Sequence, residues 1–144
     1  MIKNVLICED EDAIRDFVEI NLRRAGYQTV GVSNGEDAIK KIEEYDGGFD
    51  VALLDVMLPG IDGFEVCKRL RQRDKKLGII MLTARTQEMD KISGLMLGAD
   101  DYITKPYTVR NVIARVRSVL RRSNGKKDNA QIHDKPNVLQ IEGL

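Results

Sequence analysis

Short runs of apolar and β-branched residues recur along the first 105 residues, and each is followed by a stretch with helical spacing. The runs are apolar at consecutive positions, as is typical of parallel strands that are buried on both faces. They predict strands at 3–8, 28–33, 50–54, 79–83 and 101–104. The stretches between and after them predict helices at 11–25, between 34 and 47, across 64–70, at about 86–97 and from 109 to about 122.

Strands that alternate with helices through short loops form βαβ units with right-handed crossovers. The chain is therefore predicted to fold as a doubly wound α/β domain, with a five-stranded parallel sheet covered by helices on both faces. This domain is expected to span residues 1–122. Residues 123–136 are polar and aperiodic, which predicts a linker, and residues 137–144 alternate as a strand does. A lone strand cannot bury its apolar side, so we expect a longer parent protein.

Charge and composition exclude several classes of protein. The chain has 23 Lys plus Arg and 23 Asp plus Glu, so its net charge does not indicate binding to nucleic acid or to a membrane. No apolar run approaches the ~20 residues that span a bilayer, and the N-terminus becomes acidic too early for a signal peptide. Cys8 and Cys67 lie in structured stretches and are expected to be buried thiols of a cytoplasmic protein. A single histidine, His133, leaves no basis for a zinc site or a His-based triad.

Polar and charged residues follow the predicted strands where each strand ends. "EDED", from Glu9 to Asp12, follows the first strand, Asp55 ends the third, Thr83 ends the fourth and Lys105 follows the fifth. Ligands of open α/β sheets bind beyond the carboxyl ends of the strands, so these groups are expected to converge. Some acids of "EDED" are explained by the start of a helix, where acids are favourable. That explanation does not cover Asp55, which ends a buried strand.

Clustered carboxylates repel one another unless a cation lies between them, and Mg²⁺ suits two carboxylates, waters and a phosphate oxygen. A phosphoryl group bound beside the metal accounts for the other residues at this edge. Thr83 can donate a hydrogen bond to it and Lys105 can neutralise its charge. Asp55 is then the carboxylate placed to attack phosphorus, and such a transfer depends on positioning and charge stabilisation.

Four separated motifs, "EDED", "LLDVMLPGIDG", "MLTA" and "GADDYITKP", resemble the receiver domain of bacterial two-component response regulators. The resemblance covers residues 1 to about 122. It implies the flavodoxin-like strand order 2-1-3-4-5. It also implies a signalling domain and not an enzyme, with only self-phosphorylation from small donors and self-dephosphorylation expected.

The resemblance assigns a role to each residue that matches a motif. Asp55 is implied to accept a phosphoryl group from a sensor histidine kinase. Mg²⁺ is implied to be bound by Asp10 and Asp55 directly, by the backbone carbonyl of Met57 and by Glu9 through water. The phosphoryl oxygens are implied to be held by Thr83, Ala84 and Lys105.

Tyr102 stands at the position of the family's switch residue on the fifth strand. The resemblance implies that Thr83 moves toward the phosphoryl group and that Tyr102 rotates inward behind it. An aromatic side chain packed at the edge of the sheet would fit the sequence equally well.

"GADDYITKP" and the C-terminal tail resemble the winged-helix (OmpR/PhoB-like) transcription-factor subfamily, which regulates transcription through a DNA-binding effector. Residues 137–144 would begin that effector, so DNA binding would belong to the missing domain. The resemblance implies a homodimer on phosphorylation, through the fourth helix, the fifth strand and the fifth helix. The residues for that face are Lys91, Ile92, Leu95, Asp100, Asp101, Asn111, Ala114, Arg115 and Arg122. Asn111 stands where the family often has an acid to pair with Lys91, which puts the charge network in doubt, and ordinary surface charge would give a similar pattern.

Other functions fit the residues less well. A haloacid-dehalogenase-type phosphatase needs a second acid where Met57 stands. A flavin binder would place "EDED" against a phosphate, and the phosphate loop of a nucleotide hydrolase is absent from the sequence. The remaining alternative is a receiver-like interaction module that works without phosphorylation. It would be favoured by loss of the acids, the threonine or the lysine, all of which are present.

Overall fold

The computed structural model of the chain describes residues 2–84 and 98–127, with the backbone alone for Ala84, Lys105 and residues 123–127. The strands are β1 (Asn4–Cys8), β2 (Gln28–Val32), β3 (Val51–Asp55), β4 (Gly78–Ala84) and β5 (Asp101–Lys105). The helices are α1 (Asp12–Arg24), α2 (Gly35–Glu44), α3 (Gly63–Arg73) and α4 (Val109–Lys127). The predicted helix at about 86–97 lies outside the described residues. For this reason α4 corresponds to the fifth helix of the prediction.

The strands form one sheet in the order β2-β1-β3-β4-β5, and every neighbouring pair is parallel. The predicted fold and strand order are confirmed. The register aligns Val5 with Val51, Val51 with Gly78, and Ile80 with Asp101. All five carboxyl ends consequently lie along one edge of the sheet.

The sheet separates two apolar clusters because successive strand side chains point to opposite faces. One is the α2–α3 cluster, which receives Leu6 and Cys8 from β1. The other is the α1–α4 cluster, which receives Val5 and Ile7. All four of these side chains are 0% exposed. At roughly 1.5–3 kcal/mol for each fully buried large aliphatic side chain, the central strands supply much of the driving force for folding.

Side chains at the helix starts fix two of the loops at the carboxyl edge. The Asn34 side chain accepts a hydrogen bond from the Asp37 N–H at 2.8 Å, which caps α2. Asp62 caps α3 in the same way, accepting from the Glu65 N–H at 2.9 Å. Each cap satisfies a donor that the first turn of a helix leaves unpaired.

α4 continues to Lys127, five residues beyond the predicted end of the domain helix. The first part of the predicted linker is therefore helical, although its sequence "SNGKK" shows no apolar periodicity. The domain limits at 122 and 136 and the assignment of residues 137–144 stay predictions. Within residues 2–84 and 98–127, no helix combines the length and apolarity that crossing a bilayer requires.

Candidate functional site

Three carboxylates meet at the carboxyl edge of the two central strands. Glu9, Asp10 and Asp55 each offer an oxygen, and these oxygens all lie within 4.8 Å of one another. Glu9 and Asp55 are almost fully buried, at 1% and 2% exposed, whereas Asp10 is exposed. The site therefore combines a buried acidic floor with one side open to solvent.

The register of the sheet explains this convergence. Cys8 at the end of β1 is aligned with Leu54, so the next residue on each strand brings Glu9 beside Asp55. The Glu9 carboxylate accepts a hydrogen bond from the Glu11 N–H at 3.1 Å. Arg15 on α1 donates to the Glu9 backbone carbonyl at 2.8 Å, which ties the loop to the helix. Backbone pairing and local hydrogen bonds thus hold two like charges close together.

Asp55 is oriented by the loop that follows it. The Met57 N–H donates to Asp55 Oδ1 at 3.1 Å, and the Met57 side chain is 71% exposed beside the site. The Gly63 N–H donates to the Val56 carbonyl at 3.0 Å and closes the loop onto the start of α3. Because Gly63 has no side chain, α3 can begin directly against the backbone of Asp55 and Val56. Gly63 was not predicted as a site residue, although glycine at the start of a helix beside a predicted functional loop was a usable signal.

Thr83, Ala84 and Lys105 lie on the same edge of the sheet. Asp55 is aligned with Leu82, so Thr83 extends one residue further along β4, and it is 1% exposed. Ala84 is aligned with Lys105 at the ends of β4 and β5. The backbone therefore brings all three residues to the edge where the carboxylates meet, as the sequence predicts.

Tyr102 lies on β5, aligned with Met81, and its partly buried ring packs against the α2–α3 cluster. Its backbone N–H donates to Asp101 Oδ1 at 2.8 Å. In this conformation Tyr102 is an aromatic packed at the sheet, which is the alternative that the sequence left open. Its role as a switch stays a prediction.

The carboxylates change the acidity of two neighbouring groups. Burial, followed by the charges of Asp55 and Glu9, raises the pKa of the Cys8 thiol to about 12. Burial, followed by the charges of Glu9, Asp55 and Glu11, also raises the pKa of Tyr107. Both groups are held in their neutral forms next to a negative potential. Tyr107 was not predicted as a site residue, although its position two residues after Lys105 places it at the same edge.

The donor set fits a hard divalent cation. Oxygens that ligate Mg²⁺ lie about 2.1 Å from the ion, so two of them are at most about 4.2 Å apart. The observed separations of at most 4.8 Å therefore require adjustments of well under ~1 Å. Exposed Asp10 gives the ion access from solvent, and buried Glu9 and Asp55 provide the charge that favours its binding.

The predicted dimer face has charged side chains that pair within the chain. The carboxylate of Asp101 lies 3.2 Å from Arg115 and 3.5 Å from Arg122, both on α4. The carboxylate of Asp100 pairs with Arg71 on α3 at 2.8 Å. Asn111 donates its backbone N–H to Thr108 Oγ1 at 3.1 Å. Ala114 is exposed on the same helix, whereas Lys91, Ile92 and Leu95 lie outside the described residues.

The chain belongs to the family of response regulator receiver domains, since residues 5–117 match that family. The resemblance inferred from the four motifs is confirmed, and the site described above lies within the matched residues.

Individual relatives support the same assignment. The chain is 50% identical over 123 residues to the alkaline phosphatase synthesis transcriptional regulatory protein PhoP of Bacillus subtilis, covering 85% of this chain and 50% of the relative. It is 47% identical over 131 residues to the sensory transduction protein RegX3 of Mycobacterium tuberculosis, covering 91% of this chain and 56% of the relative. The chain thus spans about half the length of these curated relatives.

Solved structures agree with the fold. A putative response regulator from Chloroflexus aurantiacus superposes with a TM-score of 0.78 at 38% identity, over 83% of this chain and 98% of that one. The structure described as the BeF3-activated DrrB receiver domain gives a TM-score of 0.76 at 30% identity, over 85% of this chain and all (100%) of that one.

Proposed function

We propose that this chain is a phosphorylation-activated switch of a two-component system, in which Asp55 accepts a phosphoryl group from a sensor histidine kinase. The observation that carries the proposal is the position of Asp55. It is 2% exposed at the end of a central strand, with oxygens of Glu9 and Asp10 within 4.8 Å of its own. A buried carboxylate among like charges is costly for folding, so its presence is best explained by chemistry at this edge.

The transfer uses the residues as follows. An Asp55 carboxylate oxygen attacks phosphorus, a new P–O bond forms, and the bond from phosphorus to the donor nitrogen or oxygen breaks. The donor leaves with the electron pair of that bond and takes up a proton from solvent. The Met57 N–H holds the Asp55 carboxylate in position through its 3.1 Å hydrogen bond. Positioning of this kind is the main contribution a protein makes to phosphoryl transfer.

We assign the metal site to Glu9, Asp10, Asp55 and the backbone carbonyl of Met57, with Glu9 acting through water. Bound Mg²⁺ would neutralise negative charge on the phosphoryl oxygens. Thr83, Ala84 and Lys105 are assigned to those oxygens, since the backbone places them along the same edge. The chain then catalyses nothing beyond its own phosphorylation from small donors and its own dephosphorylation.

The output is proposed to be dimerisation and control of an attached DNA-binding domain in a cytoplasmic transcription regulator. PhoP and RegX3 are about twice as long as the match, which leaves room for such a domain. Arg115 and Arg122 are about half exposed, at 47% and 54% of their side chains. Exposed ion pairs contribute only ~0–1 kcal/mol to stability. These arginines can therefore leave Asp101 of their own chain and pair with an acidic side chain of a second copy at little cost in free energy. Phosphorylated protein that sediments as a monomer at high micromolar concentration contradicts this output.

The phosphoacceptor is tested by intact mass after incubation with Mg²⁺ and acetyl phosphate. The expected result is one phosphoryl adduct that requires Mg²⁺ and is lost in Asp55→Asn. Asp46→Asn serves as the matched control, because Asp46 is an exposed acid in the turn after α2. No adduct from any small donor, together with no transfer from a histidine kinase, would favour an interaction module that works without phosphorylation.

A further inference from the structure

Tyr107 has a buried hydroxyl with no hydrogen-bond partner in the part of the chain that the structure describes. The residue follows the end of β5 by two positions, and its partly buried ring packs against the α1–α4 cluster. Buried side-chain hydroxyls nearly always have a hydrogen-bond partner, and a buried hydroxyl that lacks one destabilises the fold. Phenylalanine would fill the same space without that penalty, so the hydroxyl itself requires an explanation.

The surroundings of this hydroxyl are acidic. The charges that act on it come from Glu9, Asp55 and Glu11, and together with burial they raise the pKa of Tyr107. A tyrosine hydroxyl carries its proton at neutral pH and can donate a hydrogen bond. Carboxylate oxygens and the waters around a cation are both acceptors, and Glu9 is 1% exposed at the same edge.

We propose that Tyr107 is a positioning residue for the cation site, and that its hydroxyl donates a hydrogen bond to the Glu9 carboxylate, or to a water held by it, when Mg²⁺ is bound. The inference rests on the metal site of the proposed function. Tyr107 is not a ligand of the ion. It orients the Glu9 side of the site, as groups behind a ligand commonly do at metal centres.

This role predicts effects of opposite sign in the two states of the protein. Without the ion, the unmade hydrogen bond destabilises the fold, so Tyr107→Phe should stabilise the protein. With the ion, the variant lacks a donor that the wild type uses, so its affinity for Mg²⁺ should fall. A tyrosine that only packs against its neighbours would not produce this pair of effects.

The test uses the full chain, with the wild type, Tyr107→Phe and the matched control Tyr27→Phe. Tyr27 is also partly buried and packs against the same α1–α4 cluster, but it precedes β2 and so lies at the opposite edge of the sheet. Thermal unfolding without Mg²⁺ and calorimetric titration with Mg²⁺ alone are the two measurements. We expect Tyr107→Phe to raise the melting temperature by about 2–4 °C and to raise the Kd for Mg²⁺ about fivefold. Tyr27→Phe should leave the Kd unchanged.

A double-mutant cycle with Glu9→Gln tests the route through Glu9. In the Glu9→Gln background, Tyr107→Phe should weaken Mg²⁺ binding by much less than about fivefold, since the two residues then act as one unit. An unchanged Kd in Tyr107→Phe, or a lowered melting temperature without Mg²⁺, overturns the inference and leaves the proposed function intact. A wild type that binds no Mg²⁺ overturns both.

Discussion

Substitution of Gly63 by alanine tests how α3 positions Asp55, the proposed phosphoacceptor. A Cβ atom at Gly63 would lie 2.7 Å from Val56 Cα and 3.0 Å from the carbonyl carbon of Asp55. Ordinary carbon–carbon contacts are about 3.5–4.0 Å, so α3 and the β3 end must separate by roughly 1 Å. The atoms in the way belong to the backbone, so no change of rotamer relieves the contact.

The sign of the stability change distinguishes this close approach from helix propensity. Alanine in place of a helical glycine normally stabilises a protein by about 0.5–1 kcal/mol. Overpacking of a filled site costs about 1–3 kcal/mol. We therefore expect Gly63→Ala to lower the free energy of unfolding by about 1–2 kcal/mol in urea denaturation.

The same displacement should also affect phosphorylation, because Asp55 ends β3 and the Met57 N–H that orients it lies in the loop that follows. A misplacement of about 1 Å lowers rates by up to about a hundredfold, so phosphorylation by acetyl phosphate should slow by about ten- to a hundredfold. Gln72→Ala, at an exposed position of α3, is the control and should change stability by less than about 0.5 kcal/mol. A Gly63→Ala protein as stable as the wild type, or more stable, would refute the reasoning.

Three further predictions concern stability. Arg71 donates to backbone carbonyls at the end of α3, to those of Leu77 and Gly98, and it pairs with Asp100. Arg71→Met should therefore lower the free energy of unfolding by about 2–4 kcal/mol in urea denaturation. If Arg71→Lys were as stable as the wild type, the positive charge alone would suffice. Asp62→Ala removes the cap of α3 and should cost about 1 kcal/mol, whereas Asp62→Asn should be nearly neutral. Folding raises the pKa of the Cys8 thiol from 9.0 to about 12, so the folded state retains a proton that the unfolded state loses. Unfolding free energy should accordingly fall as the pH rises from 9 toward 12, with a smaller slope in Cys8→Ala.

The strands and their order along one edge were predictable because burial leaves a local signal. A parallel strand covered on both faces must be apolar at consecutive positions, and "VALLD" has that pattern with one exception, Asp55. An acid that interrupts such a pattern is visible without coordinates. Local spacing also predicted the position of Glu9, Asp10, Thr83 and Lys105 at this edge, because parallel strands bring their carboxyl ends together whatever the details of packing. The roles of these residues stay predictions.

The end of the last helix was not predictable in the same way. The residues after Arg122 contain Ser, Asn and Gly and carry no apolar stripe, so periodicity predicts a linker there. In the structure α4 continues to Lys127. A helix that is already formed gains one backbone hydrogen bond for each further residue whose conformation it fixes. This propagation does not depend on an apolar face.

The partners of the charged residues were decided by tertiary structure. Asp100 and Asp101 were predicted for an interface between copies, yet within this chain they pair with Arg71 and with Arg115 and Arg122. Arg71 lies 29 residues before Asp100, and no spacing rule connects a helix end with a loop that far along the chain. Their meeting depends on the fold, which places Asp100 at the start of β4, where its carboxylate also accepts a hydrogen bond from the Ile79 N–H at 2.8 Å.

By itself the sequence determined which residues form the strands, which acids stand at their ends, and therefore the fold and the family. Tertiary structure alone decided that Gly63 begins α3 against the Asp55 backbone. It also decided that the buried Tyr107 hydroxyl has no hydrogen-bond partner among the residues that the structure describes. The physical reason is the range of the forces involved. Burial of a strand or helix leaves a pattern in residues that are neighbours along the chain, whereas close packing and hydrogen-bond satisfaction depend on atoms from elements that meet only in the folded chain.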